Sequence, residues 1–182
     1  MKLFLSAAAL FALSATSMFA SAIKTDGTWY EFGFDGVGSF ATACPSCGST
    51  TDPVADQSAD APYTFSGPAD LEVLDLFQSG DQFEVFDNNV DLGPTSVPGT
   101  AGACGNDIGC ALADTNYTFG SYNLGAGSHS ITIETIASPF GSGAAVFSAT
   151  AGTTSATPEP GTIALLGAGL GLFGLSRRFR RA

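Results

Sequence analysis

Turn-forming residues interrupt the apolar runs throughout residues 23–157, and this spacing constrains the fold more than any other feature of the sequence. The runs are short, they are bounded by Gly, Asp, Asn, Ser and Pro, and none follows the 3.6-residue period of an amphipathic helix. Several short strands without intervening helices are typical of an antiparallel β-sandwich, and the jelly roll is the nearest common form. The sequence therefore predicts an all-β domain without an amphipathic helix.

The turn-forming residues mark where individual strands begin and end. We predict strands at residues 28–34, 63–65, 70–77, 82–86, 118–123, 129–137 and 142–150. Asp87-Asn88-Asn89, followed by residues 90–93, predicts a hairpin tip, because Asp and Asn tolerate positive φ.

Side-chain alternation predicts which strands are buried. In residues 82–86, Phe83 and Val85 face one side and Phe86 the other, so this strand should be central or well covered. Ile131 and Ile133 share one face of a strand whose other face is polar, which indicates a half-buried strand.

Acidic side chains dominate the central region. Lys24 is its one basic residue against sixteen Asp and Glu, which gives residues 23–157 a formal charge of −15, while the whole chain carries −11. This charge repels nucleic-acid phosphates and anionic lipid head groups, so the sequence excludes nucleic acid as a partner. It suits an exported surface protein and attracts cations.

The N-terminus has the three parts of a secretory leader. A positive start at Lys2 precedes the mostly apolar residues 3–20, and Ala20-Ser21-Ala22 offers small residues to signal peptidase. We predict a signal peptide over residues 1–22 and a mature start at Ile23. An uncleaved N-terminal membrane anchor is the alternative.

The C-terminus also has three parts. Pro158-Glu159-Pro160 prevents a helix from running through it, and residues 161–175 carry no charged side chain. As a helix, this run covers roughly 22 Å of the ~30 Å hydrocarbon core, so it can reach across only with snorkelling or local thinning. A basic cluster follows and should stay cytoplasmic. Its members are Arg177, Arg178, Arg180 and Arg181.

This order of Pro-Glu-Pro, short apolar helix and terminal arginines resembles the PEP-CTERM sorting signal of exopolysaccharide-producing Gram-negative bacteria. The resemblance implies processing by an exosortase, a membrane transpeptidase that recognises the tripeptide, removes the helix and passes the body to the cell surface, outer membrane or matrix. A glycolipid-anchor signal would end in its hydrophobic tail, and a sortase signal needs Leu-Pro-x-Thr-Gly, which this chain does not contain. A permanent tail anchor is the remaining alternative.

A second resemblance covers most of residues 63–147. The stretches "SGPADLEVLDLFQSGDQFEVFDNNVDLGPTS" and "GSYNLGAGSHSITIETIASPFGSGAAVF" are similar to the body of PEP-CTERM proteins whose β-sandwich has no assigned activity. They resemble more distantly the carbohydrate-binding jelly rolls, which carry a Gly-x-His-x-Ile-x-Ile strand. This implies binding of the cell's own exopolysaccharide as an alternative function, with Tyr63, Tyr117 and Tyr122 as candidate sugar-facing aromatics.

Four cysteines lie in two local pairs and should be oxidised in an exported chain. They are Cys44, Cys47, Cys104 and Cys110. Three connectivities are open, and pairing within each local pair would restrain surface loops more than it would hold a core together. No βαβ pattern surrounds the C-x-x-C spacing to support a redox site, and a single histidine disfavours zinc.

The sequence contains few residues that could support catalysis or metal binding. His129 is the only histidine, it shares the phase of Ile131, and no G-x-S-x-G motif exists, so we predict a backbone-bonded strand histidine and no enzyme. We expect no cofactor other than, at most, calcium. Asp87, Asn89 and Asp91 alternate as calcium ligands do, although the glycine and the final glutamate of an EF-hand are missing and a plain hairpin tip is the competing reading. Asp75 and Asp81 flank the neighbouring turn and would contribute calcium ligands if the loops converge.

The predicted organisation has four parts. A signal peptide (1–22) precedes a β-sandwich domain (23–150), a linker (151–157) and the sorting signal (158–182), which divides into an apolar helix (161–176) and a basic tail (177–182). The predicted function is that of a non-catalytic surface or biofilm-matrix protein, held briefly at the inner membrane and then released by an exosortase.

Overall fold

The computed structural model describes residues 20–45, 47 and 50–153. The strands and the helix of this region follow in chain order: β1 (Ser21–Ala22), β2 (Asp26–Phe34), β3 (Asp56–Gln57), β4 (Tyr63–Asp75), β5 (Gln82–Asp87), β6 (Val90–Pro94), α1 (Ile108–Ala113), β7 (Phe119–Ala137) and β8 (Gly143–Ala151). The all-β prediction is confirmed. The predicted signal peptide lies outside the described residues except for residues 20–22, and the sorting signal lies wholly outside them.

All strands belong to one sheet in the order β3-β2-β8-β4-β7-β5-β6, with β1 added beside β4. The long pairings, β2 with β8 and β4 with both β7 and β8, are antiparallel. The short strands β1 and β3 pair in parallel with β4 and β2. The sheet is therefore mixed, and the prediction of a purely antiparallel arrangement is wrong at these two strands.

The sheet folds over on itself. Three strands separate β2 from β5, a distance of about 19 Å in a flat sheet. Yet Phe32 of β2 packs edge-on against Phe83 of β5 with ring centroids 5.5 Å apart. Tyr63 and Phe147 stack at 4.3 Å in the same interior. The two halves of the sheet thus face each other across an aromatic core.

Two pairs of predicted strands are single long strands. The break between the predicted strands 63–65 and 70–77 lies inside β4, and the break between the predicted strands 118–123 and 129–137 lies inside β7. The two segments are opposite each other, with Gly67 paired to Gly127, so their backbone groups bond across the ladder and neither strand has to end. A register shift between Gly67 and Ala69 bends β4 there.

A second apolar cluster lies on the outer face of the β2-β8-β4 half. It contains Trp29, Leu74, Leu76, Ile108, Ala111, Tyr117 and Val146. Helix α1 covers this cluster, and its N-cap Asp107 accepts the Cys110 N–H at 2.8 Å. The expectation of no helix is wrong here, because a six-residue helix is too short to show a periodic pattern.

The predicted burial of alternating side chains along the strands is confirmed. Phe83, Val85, Ile131 and Ile133 are all fully buried. Thr132 and Glu134, on the other face of β7, are half-buried. The predicted hairpin tip is also confirmed, since Asn88 and Asn89 adopt φ of 50° and 63° between β5 and β6.

Candidate functional site

The sorting motif Pro158-Glu159-Pro160 and its arginine cluster lie outside the described residues, so the structure bears on them through the place where the body ends. Strand β8 ends at Ala151, whose N–H donates to the Thr25 carbonyl at 2.8 Å. The Gly152 N–H donates to the Pro68 carbonyl at 2.9 Å. Ordered strand structure thus reaches within a few residues of the motif, and one residue into the predicted linker.

The chain enters the body beside the same strand at which it leaves. The Ser21 N–H donates to the Pro62 carbonyl at 2.9 Å, and Ser21 and Ala22 pair with the start of β4. Asp26 is paired with Thr150 at the end of β8. Ser21, which belongs to the predicted leader, thus lies opposite Tyr63, and Ala151 lies opposite Ala69 farther along β4.

His129 is the most constrained polar side chain of the body. It is 7% exposed, and its Nδ1 lies 2.8 Å from an Asp87 carboxylate oxygen while its Nε2 lies 2.9 Å from the Gly125 carbonyl. Both ring nitrogens thus lie within hydrogen-bonding distance of an oxygen atom. Its partners include the Asp87 side chain as well as the backbone, so the predicted backbone-bonded strand histidine is only part of the arrangement.

A glycine makes room for this ring. A Cβ at Gly67 would lie in contact with His129 Nε2 and with the Gly125 carbonyl oxygen, closer than real Cβ contacts allow. Phe65 covers the ring at a centroid distance of 5.3 Å. The ring is thus enclosed by protein groups, and both of its nitrogens are engaged.

Two of the three candidate calcium ligands at the hairpin tip, Asp87 and Asp91, already have partners. Asp87 accepts hydrogen bonds from His129, from the Ser130 N–H at 3.0 Å and from the Asn88 amide at 3.0 Å. Asp91 accepts the Gly93 N–H at 2.7 Å. Within the described ranges, no group of three or more His, Cys, Asp or Glu is arranged to hold a metal. Calcium at this tip stays a prediction, and it would have to compete with these bonds.

The cysteines form the two local pairs. Cys44 is joined to Cys47, with Cα atoms 5.2 Å apart, and Cys104 to Cys110, with Cα atoms 5.5 Å apart. The second disulfide links α1 to the segment before it, and Cys104 packs against the second apolar cluster.

The first disulfide lines an open groove of about 460 Å³. Phe34 and Phe77 form part of its apolar wall, and Asp35 and Thr42 contribute polar groups. This combination of apolar and polar groups is common in small-ligand sites.

The candidate sugar-facing tyrosines are mostly interior. Tyr63 is fully buried in the aromatic core, and Tyr117 is buried with its hydroxyl accepting the N–H groups of Cys104 and Gly105 at 3.0 and 3.3 Å. Tyr122 is half-buried, and its hydroxyl donates to the Gly93 carbonyl at 3.0 Å. Tyr63 and Tyr117 therefore cannot present a ring to a glycan, and they are wrong as candidates.

Three carboxyl groups that were not predicted to be buried are buried in the structure. They belong to Glu31, Asp75 and Asp81. Burial raises the pKa of Glu31 to about 7. Burial, followed by the nearby charge of Asp81, raises the pKa of Asp75 to about 8, and burial also raises the pKa of Asp81. The signal was present in the alternation, because Asp75 shares the phase of Leu71 and Val73 on β4.

Comparison with known families identifies the tail. Residues 156–181 match the model of the PEP-CTERM protein-sorting motif. No curated protein and no solved structure matches the chain. The motif defines the class first: an exported protein that an exosortase recognises and that is sorted to the cell envelope or surface. The chain is a PEP-CTERM-containing protein with an all-β body.

Among residues 20–45, 47 and 50–153, no helix is long and apolar enough to cross a membrane. The predicted apolar helix (161–176) lies outside these residues.

Proposed function

We propose that this protein is a non-catalytic β-sandwich component of the cell surface or extracellular matrix, released from a temporary membrane tether by an exosortase. The match of the sorting motif to residues 156–181 is the observation that carries the proposal. The leader (1–22) exports the chain, and the tail then stops it in the inner membrane. Cleavage near Pro158-Glu159-Pro160 separates the body from the apolar helix.

The length of the tail supports a temporary tether. The uncharged run at residues 161–175 reaches roughly 22 Å against a hydrocarbon core of ~30 Å, so it spans poorly on its own. Four arginines hold its cytoplasmic end, because positive charge beside a membrane segment resists translocation. Such a segment holds a substrate in place for processing better than it serves as a permanent anchor.

The geometry of the body supports processing close to the membrane. Thr153 is the last described residue, and Pro158 follows five residues later. Five residues span at most about 17 Å, so the folded body must stand beside the tripeptide whatever the linker conformation. The part of the body nearest the exosortase is then the end around Thr25, Pro68 and Gly152.

The polar groups of the body support a non-catalytic role. His129 is the only histidine in the sequence, and both of its nitrogens are engaged. The two disulfides and the aromatic core favour a stable, protease-resistant body.

Fractionation of producing cells with intact-mass measurement tests the sorting proposal. We expect the mature form outside the inner membrane, with a mass that lacks residues 161–182. A variant with Pro158, Glu159 and Pro160 all changed to alanine should keep its tail and stay in the inner membrane. A variant with alanine at Thr153, Thr154 and Ser155 is the matched control and should be processed normally. Wild-type protein recovered with its arginines attached in the plasma membrane would contradict the proposal.

Binding of the producer's own exopolysaccharide is the second candidate function. The groove beside the Cys44–Cys47 disulfide favours it, since Phe77 offers ring surface and Asp35 and Thr42 offer hydrogen-bonding groups. Pull-down with the purified polysaccharide should give saturable binding that Asp35→Ala weakens. Asp91→Ala, a change at the hairpin tip, is the control. Binding that is absent, or equally strong in both variants, argues against this groove.

A further inference from the structure

The turn between β4 and β5 is built around a carboxyl group. Asp75, the last residue of β4, accepts the N–H groups of Gly80 and Asp81 on one oxygen, at 3.0 and 3.2 Å. Phe77 and Gly80 adopt φ of 67° and 135°, which wraps the turn back toward Asp75. Asp81 then leads directly into β5. Two carboxyl groups are thus held at one end of the folded sheet.

Both carboxyl groups are buried, and each has an oxygen without a hydrogen-bond partner. Asp75 is 0% exposed and Asp81 is 5% exposed. The Oδ1 atoms of the two side chains make no hydrogen bond. A buried acceptor left unsatisfied is unfavourable, and two neighbouring negative charges add repulsion. Such an arrangement calls for a positive partner.

The body itself offers no such partner. Between residues 20 and 153 the sequence contains two side chains that can carry positive charge, Lys24 and His129. The Lys24 ammonium lies 4.0 Å from Asp56 on an exposed surface, and His129 is committed to Asp87. A partner for the two orphaned oxygens must therefore come from solution.

The surrounding groups are hard oxygen donors. The Thr118 hydroxyl donates to the Asp81 carbonyl at 2.8 Å. The Thr118 carbonyl accepts the Asp75 N–H at 2.9 Å. Carboxylates supplemented by hydroxyl, carbonyl and water oxygens suit calcium, whereas zinc needs nitrogen or sulfur ligands.

We propose that Asp75 and Asp81 bind a divalent cation of the calcium class at the β4–β5 turn. Each carboxylate supplies its unpartnered oxygen, and nearby neutral oxygens complete the shell. Two carboxylates give a low ligand charge, so the affinity belongs in the range of extracellular modules, with Kd of about 0.1–1 mM. The cation would lock the turn that joins the two halves of the sheet. This site is distinct from the hairpin tip at Asp87, Asn89 and Asp91.

Thermal unfolding of the full-length chain in detergent tests the proposal. The protein is stripped with EDTA, dialysed at pH 7.5 in 150 mM NaCl to screen general charge effects, and titrated with calcium chloride. We expect 10 mM calcium to raise Tm by about 4 °C through linkage to the folded state. Isothermal titration with calcium should show one site, and magnesium should bind more weakly, because it demands stricter geometry.

Isosteric variants locate the site. Asp75→Asn and Asp81→Asn each remove one charge, and each should abolish the calcium-dependent rise in Tm while unfolding at or above the wild-type Tm in EDTA. Asp91→Asn, at the exposed hairpin tip, should keep the full rise. Because the two Asn variants are independent, either one suffices if the other fails to fold.

Two results would overturn the proposal. One is a wild-type Tm that calcium up to 10 mM leaves unchanged, which would mean that a proton alone stabilises the pair. The other is a calcium response that persists in the Asn variants or disappears in Asp91→Asn, which would place the ion elsewhere.

Discussion

Two acidic sites in this protein, the half-buried Asp87 and the buried pair of Asp75 and Asp81, differ in the partners they have. Asp87 contacts the His129 ring and has two further donors, the Ser130 N–H and the Asn88 amide. Asp75 accepts two backbone N–H groups on one oxygen, and Asp75 and Asp81 each leave their Oδ1 unpartnered. The comparison teaches that a carboxyl group depends on the donors that the fold brings to it as well as on its burial. An oxygen that receives no donor is left to a proton or a cation.

Removing the partnered carboxylate should have the largest effect. Asp87→Ala leaves the His129 ring and the Ser130 N–H without their acceptor, and we expect a loss of about 3 kcal/mol in the free energy of unfolding. Urea unfolding measures this as a lower midpoint with an unchanged slope. Asp91→Ala on the same hairpin should lose less than about 0.5 kcal/mol. Equal losses of unfolding free energy in the two variants would show that the partners of Asp87 add nothing to stability.

The unpartnered carboxyl of Glu31 should make stability fall as pH rises. Its pKa is raised from 4.5 to about 7, so the folded state binds more protons than the unfolded state over this interval. The stabilising contribution of the protonated group is present below pH 4.5 and is lost by about pH 8. The shift corresponds to roughly 3 kcal/mol at most, before competing carboxyl groups are counted.

Glu31→Gln isolates this effect. The variant should show a shallower decline of unfolding free energy between pH 5 and pH 9 than the wild type, measured in EDTA so that no cation contributes. Glu72→Gln, on the adjoining part of the sheet, is the control and should keep the wild-type slope. A Glu31→Gln profile parallel to that of the wild type would show that Glu31 titrates normally.

Two buried threonines allow the same comparison between uncharged groups, with a smaller expected change in the free energy of unfolding. Thr135 is buried and its hydroxyl has no partner, whereas the buried Thr118 hydroxyl donates to the Asp81 carbonyl. Thr135→Val should therefore stabilise the protein by up to about 1 kcal/mol, and Thr118→Val should destabilise it by about 1 kcal/mol. Thermal unfolding of both variants decides the signs. Destabilisation by Thr135→Val would show that its hydroxyl has a partner in solution.

Local patterns predicted much of the fold. The β2, β5 and β8 strands lie within two residues of the predicted ranges, and the Asn88-Asn89 tip follows from backbone preference alone. Residues 66–68 and 124–128 misled the prediction, because turn residues that face each other across a ladder can continue it. Helix α1 was missed because its stability depends on the cluster around Trp29 and Tyr117 and not on its own six residues.

For the candidate sites too, local sequence patterns could not show which side chains are buried or which residues contact each other. Tyr63 and Tyr117 look like sugar-facing residues in sequence, yet the fold turns both inward. The pairing of His129 with Asp87 joins residues 42 positions apart, which no local pattern reports. Asp75 was visible in phase with Leu71 and Val73, but alternation does not reveal whether a buried acid has a donor.

The sequence by itself determined where this protein goes and what class of fold it has. The sorting signal is a contiguous stretch at the tail. The strands follow from the local alternation of side chains and from turn residues, which act over a few positions. Only the tertiary structure decided which cysteines join, which tyrosines are buried and which carboxyl groups find a partner. Those outcomes depend on distances between residues far apart in the chain, and they exist only once the sheet has folded over its core.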